Sequence, residues 1–210
     1  HICHRDAEND IASQLVPSSQ GDTYQRYNVK LKDGVDVILG GGKRQFLPKD
    51  QGGERIDQRN LIAEMQQAGY RVVYDQTQLF QMKLGKNEKL LGLFNTSNLS
   101  YDLNRTKKNL PEPSLKQMTL AALDILTQNK NGFFLMVEGG RIDHALHDTN
   151  AKRALQDTIA LNEALDATIK KLQQSDPELK NTLIVITADH DHTLILNGYA
   201  KRTGKYVQGQ

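Results

Sequence analysis

Residues Phe133-Phe134-Leu135-Met136-Val137-Glu138-Gly139-Gly140-Arg141-Ile142-Asp143-His144-Ala145-Leu146-His147-Asp148 decide how the rest of the chain is read. Phe133–Val137 is apolar without interruption, the pattern of a strand buried on both faces of a parallel sheet. It runs straight into a stretch of glycines, carboxylates and imidazoles. Asp143 and His147 stand four residues apart, so one helical turn presents an oxygen and a nitrogen donor on the same face. Such a donor pair, without sulfur, suits zinc at an open, catalytic type of site. Glu138, a hard oxygen donor at the strand's end, suits magnesium better. The Gly139-Gly140 pair lets the backbone turn tightly between Glu138 and Asp143.

The same layout recurs downstream. Thr182–Thr187 is a second apolar run, and it leads into Ala188-Asp189-His190-Asp191-His192. Four of the six histidines lie in these two stretches. In open α/β sheets, ligands collect beyond the carboxyl ends of strands. Asp189 and His190 are adjacent and diverge in extended geometry, so a turn after the strand is needed to aim both at one ion. Taken singly, each residue has an ordinary use. An Asp-x-x-x-His pair is common, Glu138 can cap or pair, and His144 and His192 can be solvated or supporting groups. Their concentration at two strand ends is what points to a metal centre.

Outward from these stretches, the chain alternates strand and helix. Residues 1–16 read as a helix capped at Asp6 or Asn9, and Pro17–Tyr27 as loop. Val35–Leu39 is a strand stopped by Gly40-Gly41-Gly42. Lys43-Arg44 follows these glycines instead of Gly-Lys-Ser/Thr, so they form a structural turn and not a phosphate loop. Arg59–Ala68 is a helix closed by Gly69, followed by strands at Tyr70–Tyr74 and Lys89–Phe94. Residues 95–113 form an irregular connection. Ser114 caps a helix to about Asn129, and residues 150–174 form a long helix with Leu155, Ile159, Leu165, Ile169 and Leu172 on one stripe. This order describes an α/β sheet covered by helices, in a single domain over residues 1–210.

Composition narrows the function. With 27 basic and 25 acidic residues the net charge is +2, which argues against a dedicated nucleic-acid binder. No apolar run approaches the roughly 20 residues of a membrane span. The one cysteine, Cys3, excludes an internal disulfide and a cysteine zinc cluster.

Val137-Glu138-Gly139-Gly140-Arg141-Ile142-Asp143-His144 with His147, and Thr187-Ala188-Asp189-His190-Asp191-His192, resemble the alkaline phosphatases. His1–Arg5 is similar to the end of that family's phosphate-binding helix, and Asp36–Gly42 fits in order and distance. The resemblance implies a three-layer α/β sandwich with a mostly parallel central sheet. It implies Asp143 and His147 on a first zinc, Asp189 and His190 on a second, and Glu138 on magnesium. It further implies Arg5 on the substrate phosphate, His144 in a supporting role, and His192 behind the ligands of the second zinc. The implied reaction is hydrolysis of phosphate monoesters through a phosphoserine, by a homodimer in the periplasm or outside the cell.

The family's nucleophilic serine follows an aspartate, and no Asp-Ser pair occurs here. The bridging aspartate, the hydroxyl residue of the magnesium site and a downstream histidine are also missing. The chain, which opens on His1 without a leader, therefore reads as an internal fragment, incomplete at both ends and inactive alone. Two alternatives stand beside this: a phosphodiesterase or sulfatase-like member of the same superfamily, and a non-catalytic domain that binds divalent metal.

Overall fold

The computed structural model describes residues 7–17, 34–83, 85 and 88–195. Successive side chains of a strand point to opposite faces, and β3 (Lys89–Leu93) uses both. Leu91 and Leu93 pack against Leu61, Ile62 and Met65 of α2 (Leu61–Gln67), Tyr70, Phe46 and Ala12 of α1 (Glu8–Ser13). Leu90 faces the other way, onto Val73, Phe94, Leu79 of α3 (Gln76–Gln81) and Met118 of α5 (Leu115–Leu126). Each fully buried leucine or valine contributes roughly 1.5–3 kcal/mol. The layers are thus helix, sheet, helix, the α/β sandwich expected from the alternation of elements.

The sheet has the order β1-β3-β2 and is parallel throughout, with β1 at Val37–Gly40 and β2 at Tyr70–Val73. Leu91 sits opposite Ile38 on one side and Val72 on the other. Beyond β1, the glycine turn docks onto the loop that follows β3. Gly42, Lys43 and Arg44 donate backbone hydrogen bonds to the carbonyls of Ser97, Asn95 and Thr96. A Cβ on Gly41 would stand 2.2 Å from the Ser97 carbonyl oxygen, so only glycine allows that approach. This is the structural turn read from the sequence.

Helix starts follow their capping residues. Asn60 and Asp75 accept from the amides of Ala63 and Gln78, and Ser114 with Gln117 forms a reciprocal capping box. The connection expected to be irregular over residues 95–113 contains a short helix, α4 (Asp102–Lys107). Its acid in the first turn and its basic Arg105 and Lys107 in the last complement the helix dipole. A buried Arg55, 1% exposed, ties α1 down. It pairs with Asp57 and donates to the carbonyls of Asn9 and Gln45 and the hydroxyl of Ser13.

Two expectations need correction. Residues 133–137 and 182–187 form no strand and belong to no ladder, and they are not buried: Phe134 is 88% exposed and Leu183 87%. A strand is buried on both faces only inside a sheet with layers above and below it. No strand among the described residues pairs with either segment. The second correction concerns α7 (Ala151–Leu172), whose buried face is built from Ala154, Asp157, Ala160, Ala164, Ala167 and Leu172. Leu155 and Ile159, placed on the apolar stripe by periodicity, are exposed. Small residues let α7 lie close against α5 and against α6 (Arg141–His147). No described helix is long and apolar enough to cross a membrane.

Candidate metal centre

Segment 133–137 leads through Gly139 into α6. Gly139 permits a close approach: a Cβ there would lie 3.0 Å from Ile142 Cδ1 and 3.2 Å from Leu161 Cδ2 of α7. The chain is thereby pressed onto α7, and α6 starts at Arg141. Asp143 falls in its first turn and His147 in its last. One helical turn brings Asp143 Oδ1 to 3.4 Å from His147 Nε2.

The loop after residue 187 arrives at the same carboxylate. His192 Nε2 lies 3.8 Å and His190 Nε2 3.9 Å from Asp143 Oδ1. The rings of His147 and His192 meet edge to face with centroids 4.6 Å apart. One donor atom each from Asp143, His147 and His192 can be chosen so that all three lie within 4.8 Å of one another. Two donors at about 2.0–2.1 Å from a tetrahedral zinc are roughly 3.4 Å apart. Asp143 and His147 already stand at that separation.

Burial sharpens the fit. The His192 side chain is only 13% exposed, yet both of its ring nitrogens lack a hydrogen-bond partner, as does the buried Asp143 Oδ1. Buried polar atoms left without partners are costly, and a cation is the group that would satisfy a carboxylate oxygen and imidazole lone pairs together. An oxygen and two nitrogens, in a cleft still open on the His147 side, match an open zinc site. The residues therefore fit a divalent metal.

The other expected residues lie apart from this group or only border it. Asp189 is 87% exposed and faces its neighbour His190 at 3.4 Å. His190 gives its Nδ1 to the Asp191 carbonyl at 2.7 Å. That bond, then the charge of Asp189, holds the imidazole above its ordinary pKa, with smaller contributions from Asp143 and Asp191. The bond occupies Nδ1 only and leaves Nε2 as a donor atom, the usual arrangement of a metal-ligating imidazole. His144 Nδ1 pairs with Arg141 at 2.8 Å, back along α6. Glu138 is exposed, its carboxylate folded over Gly140. Arg5 lies outside the described residues. The structure places His192 beside Asp143 and His147, whereas the resemblance put it behind the ligands of the second zinc.

Sequence reasoning did not find Tyr101, which supports α6 from below. Its hydroxyl donates to Asp148 at 2.7 Å, and the guanidinium of Arg141 stacks on its ring. No motif surrounds Tyr101, and only its contacts reveal it.

Comparison with known proteins gives a consistent picture. The family model described as alkaline phosphatase matches residues 1–210. A membrane-bound alkaline phosphatase of Bombyx mori is 37% identical over 205 residues, covering 92% of this chain and 34% of the relative. Alkaline phosphatase 4 of Bacillus subtilis is 41% identical over 169 residues, covering 80% of this chain and 33% of the relative. Among solved structures, an alkaline phosphatase of Thermus thermophilus superposes with a TM-score of 0.68 at 34% identity, covering 83% of this chain and 32% of that one. The chain thus spans about a third of the length of these relatives.

Proposed function

The chain belongs to the alkaline phosphatase family, and from that premise we propose that it is part of the single catalytic domain of a phosphatase that hydrolyses phosphate monoesters. The observation that carries this reading is the meeting of two family motifs on one carboxylate: His147 and His192 both face Asp143 Oδ1. A metal bound there supplies Lewis acidity toward phosphate oxygens and lowers the pKa of a coordinated hydroxyl or water.

The residues of this chain would divide the work as follows. Asp143 and His147 would hold the first zinc from one face of α6, with His192 as the third donor across the cleft. Asp189 and His190 would hold a second zinc, His190 through Nε2 while its Nδ1 keeps the Asp191 carbonyl. Glu138 holds magnesium. Arg5 grips the phosphoryl oxygens with a planar fork, a geometry suited to phosphate, and His144 orients Arg141. The nucleophile is a serine supplied by a part of the parent outside these residues, and it forms a phosphoserine that water then hydrolyses. No Asp-Ser pair occurs in this chain, so it has no turnover of its own. From the family resemblance we further expect a homodimeric parent exported to the periplasm or the cell surface.

The test is turnover of a chromogenic phosphate monoester and of the matching diester by the longer parent protein. The reading expects monoester hydrolysis to dominate and to fall by at least about a hundredfold in Asp143→Asn, the scale of losing an electrostatic group at the reacting centre. Dominant diester or sulfate-ester turnover would favour the phosphodiesterase or sulfatase-like alternative. Metal uptake with no hydrolysis of any ester would favour a non-catalytic metal-binding domain.

A further inference from the structure

Helix α6 carries Asp143 and His147 but is only seven residues long, far below the roughly 12–15 residues at which an isolated helix begins to persist in water. Something outside it must hold its ends. Its first residue, Arg141, places its guanidinium carbon 3.8 Å from the centre of the Tyr101 ring. The residue that caps its other end, Asp148, accepts a hydrogen bond from the Tyr101 hydroxyl at 2.7 Å. One side chain therefore touches both ends of the helix, and Asp143 and His147 lie between the two contacts.

Tyr101 is itself well anchored. It is 6% exposed and packs with Ala145 of α6 and Ala154 of α7. Arg153 of α7 stacks on the same ring at 4.5 Å and approaches Asp148 at 3.7 Å. Tyr101 also caps α4, whose first amide, that of Asp102, donates to Asp157 of α7 at 3.3 Å. The corner between α6 and α7 contains Thr149 at φ 50°, a left-handed conformation that a β-branched residue adopts only when its surroundings impose it. The Tyr101 ring is buried, which strengthens the cation–π stacking on it, while the Asp148 carboxylate that its hydroxyl meets is half exposed.

We propose that Tyr101 is a positioning residue for the metal centre: it clamps α6 at both ends and so fixes where Asp143 and His147 stand relative to His192. The clamp rests on the metal reading given above. It makes no contact with the donors themselves and acts through the helix that carries them.

The test is Co2+ binding by the full chain, followed by the visible absorption of the bound ion, together with far-ultraviolet circular dichroism and thermal unfolding of the metal-free protein. Tyr101→Leu keeps apolar bulk against Ala145 and Ala154 but removes the ring face and the hydroxyl. It is expected to weaken Co2+ binding at least about tenfold, within the range for removing outer support of a metal site, and to change the Co2+ spectrum. Tyr101→Phe keeps the ring and is expected to lose about fivefold, the scale of one typical net hydrogen bond. A folded Tyr101→Leu chain that binds Co2+ with wild-type affinity and spectrum overturns the clamp. Should Tyr101→Leu fail to fold, Tyr101→Phe and Asp148→Asn decide, and wild-type affinity in both overturns it. A wild-type chain that takes up no Co2+ contradicts the metal reading, and the clamp falls with it. Wild-type uptake with unaffected variants contradicts the clamp alone.

Discussion

Leu91 and Leu183 sit in similar apolar, strand-type sequence, and the molecule treats them in opposite ways. Leu91 is completely buried in the middle strand of the sheet, paired on both sides and covered by helices. Leu183 is 87% exposed in a segment that belongs to no ladder. The difference lies in what surrounds them, since both runs have the composition of a buried strand. β3 has β1 and β2 as neighbours, whereas segments 133–137 and 182–187 have no strand beside them among the described residues. The loops that bring Asp143, His147 and His192 together grow from the second kind of segment. The first of them rests on α7 and Tyr101, through Gly139 and α6, and among the described residues no sheet supports it.

The largest expected effect follows directly. Amides of β3 should be protected from hydrogen exchange by at least about a thousandfold more than those of residues 182–187, since core strands open only near global unfolding and exposed segments barely need to open. Peptide-resolved exchange with mass detection checks this. Equal protection in the two regions would mean that the second segment pairs in solution, and the contrast would be lost. Side-chain truncation probes the same division through stability. Leu91→Ala should cost about 2–5 kcal/mol, the cost of a large-to-small change in a core. Leu183→Ala should stay within about 0.5 kcal/mol, as for an exposed site. Chemical denaturation of both variants reads the difference.

How much could be read from the letters follows the same line. The β1, β2 and β3 strands, the helix cap at Ser114, and the turn at Gly40–Gly42 were legible because local chemistry decides them. The convergence of two apolar runs with acidic and imidazole tails was legible as a pattern of spacing. Burial of Phe133–Val137 was not, because burial depends on neighbouring layers and not on the run itself. The buried face of α7 was misjudged for a related reason. Periodicity weighs Leu155 and Ile159 above Ala160 and Ala164, while close helix packing selects the alanines. Tyr101 was invisible because its partners Arg141, Asp148 and Arg153 are far away in sequence and meet it only in three dimensions.

A smaller effect is expected from metal. Zinc at about a hundred times its dissociation constant should stabilise the chain by about 2.7 kcal/mol if it binds only the folded form. The gain should be confined to transitions that include α6 and the loop at His190 and His192. Thermal unfolding with and without zinc checks it, and a zinc-independent midpoint would remove metal from the account of this region.

The smallest effect belongs to the sheet side. Burial alone would raise the Asp57 carboxyl, but the hydrogen bond and charge of Arg55, with the Arg59 amide and charge, hold it below its ordinary value of 3.8. A depressed carboxylate contributes its stability above the unfolded pKa and loses it as pH falls through the lower, folded value. Stability from this clip should therefore be intact above about pH 4 and decline below it. In Asp57→Asn that acid-side decline should shrink, and an unchanged acid limb in a denaturation series would contradict the assignment.

The central proposal is that the loops after residues 137 and 187 share one cation through Asp143, His147 and His192. X-ray absorption of the zinc-loaded full chain tests it most directly. The expected spectrum has a nearest shell of nitrogen and oxygen only, with outer scattering from two imidazoles, and His192→Ala removes one imidazole and weakens zinc binding. A spectrum without imidazole scattering, or one left unchanged in shape and affinity by His192→Ala, would contradict it.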